Sequence, residues 1–100
     1  MENKIYTTNE IKEIITPVIE SYGIKKLAIF GSYAKGEASP QSDIDFHLID
    51  VDGTWGYFKL CGFKQELEDF LGVPVDVLTT GAMDDEIYEK VRESEILIYG

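Results

Sequence analysis

Three aspartates carry the chemistry that this sequence offers. Two of them, Asp43 and Asp45, stand one residue apart in "SDIDFHLID" (42–50), where apolar and polar residues alternate with the period of a β-strand. Residues two apart on a strand project to one face, so the two carboxylates are expected side by side. Adjacent carboxylates repel each other and resist desolvation, and both stay ionised only with a cation between them. Their hard oxygens select Mg²⁺ or a similar ion, whose sites commonly use one or two carboxylates and let substrate phosphates complete the shell. The third, Asp76, lies in "PVDVL" between Val75 and Val77, and a lone carboxylate in an apolar strand needs a partner. If that strand pairs beside the first, three carboxylates could hold two metal ions about 3.5–4 Å apart, as in-line phosphoryl or nucleotidyl transfer uses. The plain alternatives are a solvated strand face for Asp43 and Asp45 and a turn cap for Asp76.

Upstream of the pair lies Gly31-Ser32. Glycine lets the backbone approach a phosphate closely, and Ser32 adds a hydroxyl and an amide donor at an expected helix start. Other readings of residues 31–45 fail. Gly31 and Gly36 have the first spacing of a P-loop, but Glu37 and Ala38 stand where Lys and Ser/Thr must follow. No G-x-G-x-x-G exists for a dinucleotide. A calcium loop starting at Asp43 or Asp50 would need glycine where Leu48 or Trp55 stands. A metal-assisted nucleotide site is the reading that fits.

The elements that must position these residues are legible in outline. Thr7 and Glu10 have capping-box spacing, and Ile11, Ile14, Ile15, Val18 and Ile19 fall on one helical face, with a kink or split expected at Pro17 and a stop at Gly23. "KKLAIFG" (25–31) and 42–50 read as strands and "VDGTW" as a turn or loop. A second helix is expected from Tyr57 to Leu71, with Leu60, Phe63, Leu67, Phe70 and Leu71 inward and Gly72 ending it. "PVDVLT" is a short strand, Asp84 caps a helix through Arg92 with Ile87 and Val91 as its apolar contacts, and "EILIYG" is a further strand. The order predicts an α/β or α+β fold, a small mixed central sheet flanked by helices, in a single domain over 1–100. His47 shares a face with Asp43 and Asp45 by parity and is expected to be solvated or satisfied rather than to touch a nucleotide. Asp50 and Asp52 read as turn residues, Trp55 and Tyr57 as packing anchors or partner contacts before an adenine-stacking surface, and Cys61 as inert.

Composition narrows the partners. The 100 residues carry a net charge of −10, which opposes stable binding of a polyanion by this chain alone and suits a basic partner protein. No apolar run approaches the roughly 18 residues of a membrane span. "MENKIYTTNE" lacks a signal-peptide pattern, and one cysteine forms no internal disulfide. A cytoplasmic location is the expectation.

Gly31-Ser32, ten residues, then Asp43-Ile44-Asp45 resembles the signature of the polymerase-β-like nucleotidyltransferase superfamily. The flanks "GIKKLAIFGSYAKGEASPQSDIDF" and "VDVLTT…YEKVRESEILIYG" are similar to its smallest members, the minimal nucleotidyltransferases, often antitoxins paired with a HEPN ribonuclease toxin. The resemblance implies that Asp43 and Asp45 bind two Mg²⁺ ions with a nucleoside triphosphate, that Asp76 completes the metal site and activates the acceptor hydroxyl, and that Gly31 and Ser32 hold phosphates. Lys35 stands where the family often has Arg, and offers a point charge without the bidentate geometry. Ser42 is a further candidate nucleotide contact, with local hydrogen bonding at the strand start as its alternative. The implied activity is transfer of AMP from Mg–ATP to a tyrosine of a HEPN toxin. A relict site that neutralises the toxin by binding alone, and a transferase acting on a small molecule or an RNA end, are the alternatives. Homo- and hetero-oligomers are both compatible with the sequence.

Overall fold

The computed structural model describes residues 5–50, 53 and 55–100. The elements in order are α1 (Thr8–Ser21), β1 (Leu27–Phe30), the single turn α2 (Ser32–Lys35), β2 (Ile44–Leu48), α3 (Tyr57–Leu71), β3 (Val75–Thr79), a 3₁₀ turn (Thr80–Ala82), α4 (Asp85–Ser94) and β4 (Ile96–Tyr99). The strands form one mixed sheet in the order β3-β2-β1-β4. β1 runs antiparallel to both β2 and β4, and β2 is parallel to β3.

Strand alternation gives the sheet two different faces. Leu27, Ile29, Ile44, Phe46, Leu48 and Val75 join Ile11, Ile15, Val18 and Ile19 of α1 and Phe63, Leu67 and Leu71 of α3 in one buried cluster. The intervening residues Phe30, Asp45, His47 and Asp76 belong to the opposite face. There α4 covers the region around His47, where Tyr88 meets the imidazole edge-on.

Local signals explain where elements begin and end. The Thr7 hydroxyl accepts from Glu10 N–H at 3.0 Å, and the Glu10 carboxylate accepts from Thr7 N–H at 2.9 Å. Tyr6 Oη donates to the Leu71 carbonyl at 2.6 Å, joining the entry of α1 to the exit of α3. Gly72 adopts φ 71° and closes α3. α1 runs unbroken through Pro17. Pro17 and Glu13 are both exposed, so water can serve the carbonyl that the proline leaves without a donor.

The structure corrects several boundaries. β1 and β2 are shorter than 25–31 and 42–50, so Ser42 and Asp43 precede the strand. α4 continues to Ser94, and a 3₁₀ turn over Thr80–Ala82, with Gly81 at its centre, lies between β3 and α4. Phe70 is 50% exposed rather than inward, and Ile87 is exposed while Val91 is buried. Asp52 lies outside the described residues, as does most of the "VDGTW" loop. Among the described residues no helix is long and apolar enough to cross a membrane.

Candidate active site

The site forms where β1 ends and β2 begins. After Phe30 the chain turns at Gly31, with φ 74° and ψ −149°, a conformation that is essentially glycine's alone. α2 follows, anchored by the buried Tyr33 and closed by Gly36 at φ 73°. A methyl group added at Gly31 would collide with Asp45 Oδ2, so the Gly31 backbone lies directly against that carboxylate. The close approach that the sequence assigns to a phosphate is made, in this structure, to the Asp45 carboxylate.

Asp45 is centred among the other charges. It pairs in register with Phe30 of β1 on one side and with Asp76 of β3 on the other. Asp43 sits exposed just before β2. Burial, then the negative charges of Asp76 and Asp43, push the Asp45 carboxyl up from 3.8 to about 6. Asp45 thus feels both other aspartates, although only Asp45 and Asp76 are held by strand register and Asp43 lies before the strand rather than on its face.

A divalent ion fits this donor set. All three groups are hard oxygen ligands, and the half-buried carboxylate between two others is the kind of group that a cation relieves. Among the described residues no three His, Cys, Asp or Glu side chains are gathered closely enough to cage an ion by themselves. The arrangement supplies part of a coordination shell and leaves the rest to phosphate oxygens and water, as Mg²⁺ sites usually do.

The other candidate residues have definite places. Lys35 ends α2 and is exposed. The Ser42 hydroxyl accepts the Ser39 N–H at 2.9 Å and lies 3.2 Å from the Ser39 hydroxyl, so it closes the 39–42 turn that leads into the site. His47 follows Asp45 on the same face but is 2% exposed, with Nδ1 2.8 Å from Glu95 Oε1 and Nε2 2.7 Å from Thr80 Oγ1. Both ring nitrogens are used within the fold. Trp55 stacks on Tyr22 with centroids 5.9 Å apart and meets Phe63 edge-on, a packing anchor. Tyr57 is exposed, Cys61 is exposed, and Asp50 accepts the N–H groups of Gly53 and Trp55 as a turn residue does.

Three further residues at the site escaped the sequence reading. Tyr33 is buried and anchors the turn that follows Gly31. Lys64 Nζ lies 4.0 Å from Asp76 Oδ1, and Glu68 Oε2 accepts the Val75 N–H at 3.1 Å. Nothing in their own spacing marks them, since Lys64 and Glu68 reach β3 rather than each other.

Comparison with known proteins identifies the family and the fold. The nucleotidyltransferase domain model matches residues 11–99. A candidate protein adenylyltransferase of Methanocaldococcus jannaschii is 39% identical over 88 residues, which is 88% of this chain and 94% of that protein. A toxin–antitoxin crystal structure with AMP-PNP superposes with a TM-score of 0.78 at 21% identity, over 89% of this chain and 73% of that one. The complex of a tri-AMPylated Shewanella oneidensis HEPN toxin with its MNT antitoxin gives 0.73 at 18% identity, over 93% and 72%. With a family model spanning nearly the whole sheet and its helices, and the Gly-Ser turn and paired aspartates in place within it, the chain belongs to the nucleotidyltransferase domain family, among its minimal members.

Proposed function

We propose that this nucleotidyltransferase transfers AMP from Mg–ATP to a hydroxyl of a partner protein, a tyrosine of a HEPN-type toxin, and so acts as its antitoxin. The observation that carries the reading is the juxtaposition of the Gly31 turn, Asp45 and Asp76 on three adjacent stretches of backbone. The protein adenylyltransferases among the relatives and the toxin complexes among the structural neighbours support the acceptor class.

Gly31 and Ser32 would hold the phosphates through backbone N–H groups and the Ser32 hydroxyl, with Lys35 lending charge nearby. Asp43, Asp45 and Asp76 would hold two Mg²⁺ ions, which when bound neutralise the triphosphate. The acceptor oxygen attacks the α-phosphorus, the new O–P bond forms as the bond to pyrophosphate breaks, and Asp76 takes the hydroxyl proton. Most of the acceleration is positioning and charge neutralisation. Asp76 is 60% exposed and faces outward at the sheet edge, where a protein acceptor can reach it. Such a reaction places the protein in the cytoplasm with its nucleotide and partner.

The test is to incubate the protein with ATP, Mg²⁺ and the HEPN product of a neighbouring gene, and read the toxin by intact mass. Increments of AMP on a tyrosine, lost with Asp43→Asn/Asp45→Asn, are expected. Tight binding with no mass increment would establish the binding-only antitoxin instead. AMP appearing on an RNA 3′ end or a small hydroxyl compound, but not on protein, would move the acceptor class.

A further inference from the structure

A helix packed on one face of a sheet seldom reaches a residue on the other. α3 manages it because β3 is an edge strand, so a long side chain can pass round the rim. Lys64 does so, with Nζ 4.0 Å from Asp76 Oδ1 and the two side chains 45% and 60% exposed. One helical turn on, Glu68 accepts the N–H of Val75, the residue before Asp76. Lys64 and Glu68 thus grip β3 at successive residues. Among the described residues, the Lys64 ion pair is the one made to any of the three aspartates.

We propose that Lys64 is the resident counter-charge of the acidic site, holding Asp76 before metal arrives and setting how tightly the three carboxylates take a divalent cation. The inference rests on reading Asp43, Asp45 and Asp76 as a metal site. An ammonium beside Asp76 repels an incoming dication and engages one of its ligands, so its removal tightens metal binding. The pair is half exposed and separated by 4.0 Å, so the effect has the size of a surface ion pair. That corresponds to no more than about five-fold in affinity.

The experiment titrates the full chain with Mn²⁺ alone and reads free Mn²⁺ by electron paramagnetic resonance. Lys64→Arg is expected to match the wild type. Lys64→Met should bind roughly two- to five-fold more tightly, and Lys64→Glu more tightly again. Misfolding cannot mimic a gain of affinity ordered by charge. Asp45→Asn separates the two ideas. If the wild type shows no Asp45-dependent binding, the metal-site reading falls and the role of Lys64 falls with it. If Asp45-dependent binding is present but Lys64→Met and Lys64→Glu are unchanged or weaker, the metal site stands and the proposal for Lys64 is overturned.

Discussion

Asp45 bears a cost that is visible without any ligand. Its folded-state pKa of about 6 exceeds the ordinary 3.8, so the folded chain holds this proton more firmly than the unfolded chain. The resulting stability is fully present below 3.8 and is lost as pH rises through 6. Above that range the metal-free protein carries a repelled carboxylate. Asp45→Asn is therefore expected to raise the melting temperature of the metal-free protein at pH 7.5. Allowing for solvent screening of a half-exposed group, the gain is about 1 kcal/mol, or roughly 4–8 °C for a chain of this size. The gain should fade as pH drops through 6, and transfer should be abolished throughout. Thermal melts across pH 4–8 check both; a stabilisation that does not vary with pH would assign the effect to something other than charge. Gly31 is the opposite case. Gly31→Ala meets both a glycine-only conformation and the Asp45 carboxylate. It should cost at least about 1–3 kcal/mol and remove activity in the fraction that folds. A urea melt with a transfer assay reads both, and a variant of wild-type stability would show that the turn relaxes.

Among the elements, β2 shows how far strand parity carries. Asp45 and His47 do share a face, as alternation requires, yet the two residues have different surroundings. α4 and the 3₁₀ turn cover one half of that face and leave the other open, and no pattern within residues 42–50 contains that information. His47→Ala should thus cost about 1–3 kcal/mol by leaving Glu95 and Thr80 without their partner. The KM for ATP should stay within about two-fold at a temperature where the variant is folded. A raised KM with unchanged stability would return His47 to the nucleotide. The same limit explains the rest of the reading. The Gly-Ser turn, the aspartate pair and Asp76 were legible because each is a local violation of what a strand prefers. Lys64, Glu68 and Tyr33 were not, because they are ordinary residues on ordinary helices. Their meaning depends on how α3 rolls against the β3 edge and on where α2 docks. Phe70 differs for the same reason: it continues the apolar stripe in sequence, yet it is 50% exposed where α3 docks. Asp43 was placed in the strand by pattern, whereas pairing begins one residue later, at Ile44 with Val75.

For the molecule as a whole, the charge of −10 acts on encounter more than on chemistry. A protein acceptor that presents basic residues is drawn in from a distance set by the Debye length, and salt shortens that distance. Association with such a partner should slow by about ten-fold or more between roughly 50 and 500 mM salt, while its dissociation changes little. Stopped-flow or biosensor rates decide this, and a flat association rate would mean that the partner is met through apolar contact alone. The parallel pairing of β2 with β3 also imposes an order in time. Parallel neighbours cannot be joined by a tight turn, and here the connection is the whole of α3. Asp45 is synthesised thirty-one residues ahead of Asp76, a lag of about two to six seconds at ribosomal rates. During that interval the emerging chain has its Gly31 turn and two acids but no third acid. A half-made sheet therefore lacks β3, and the acids of β2 and β3 meet only once the crossover helix has docked.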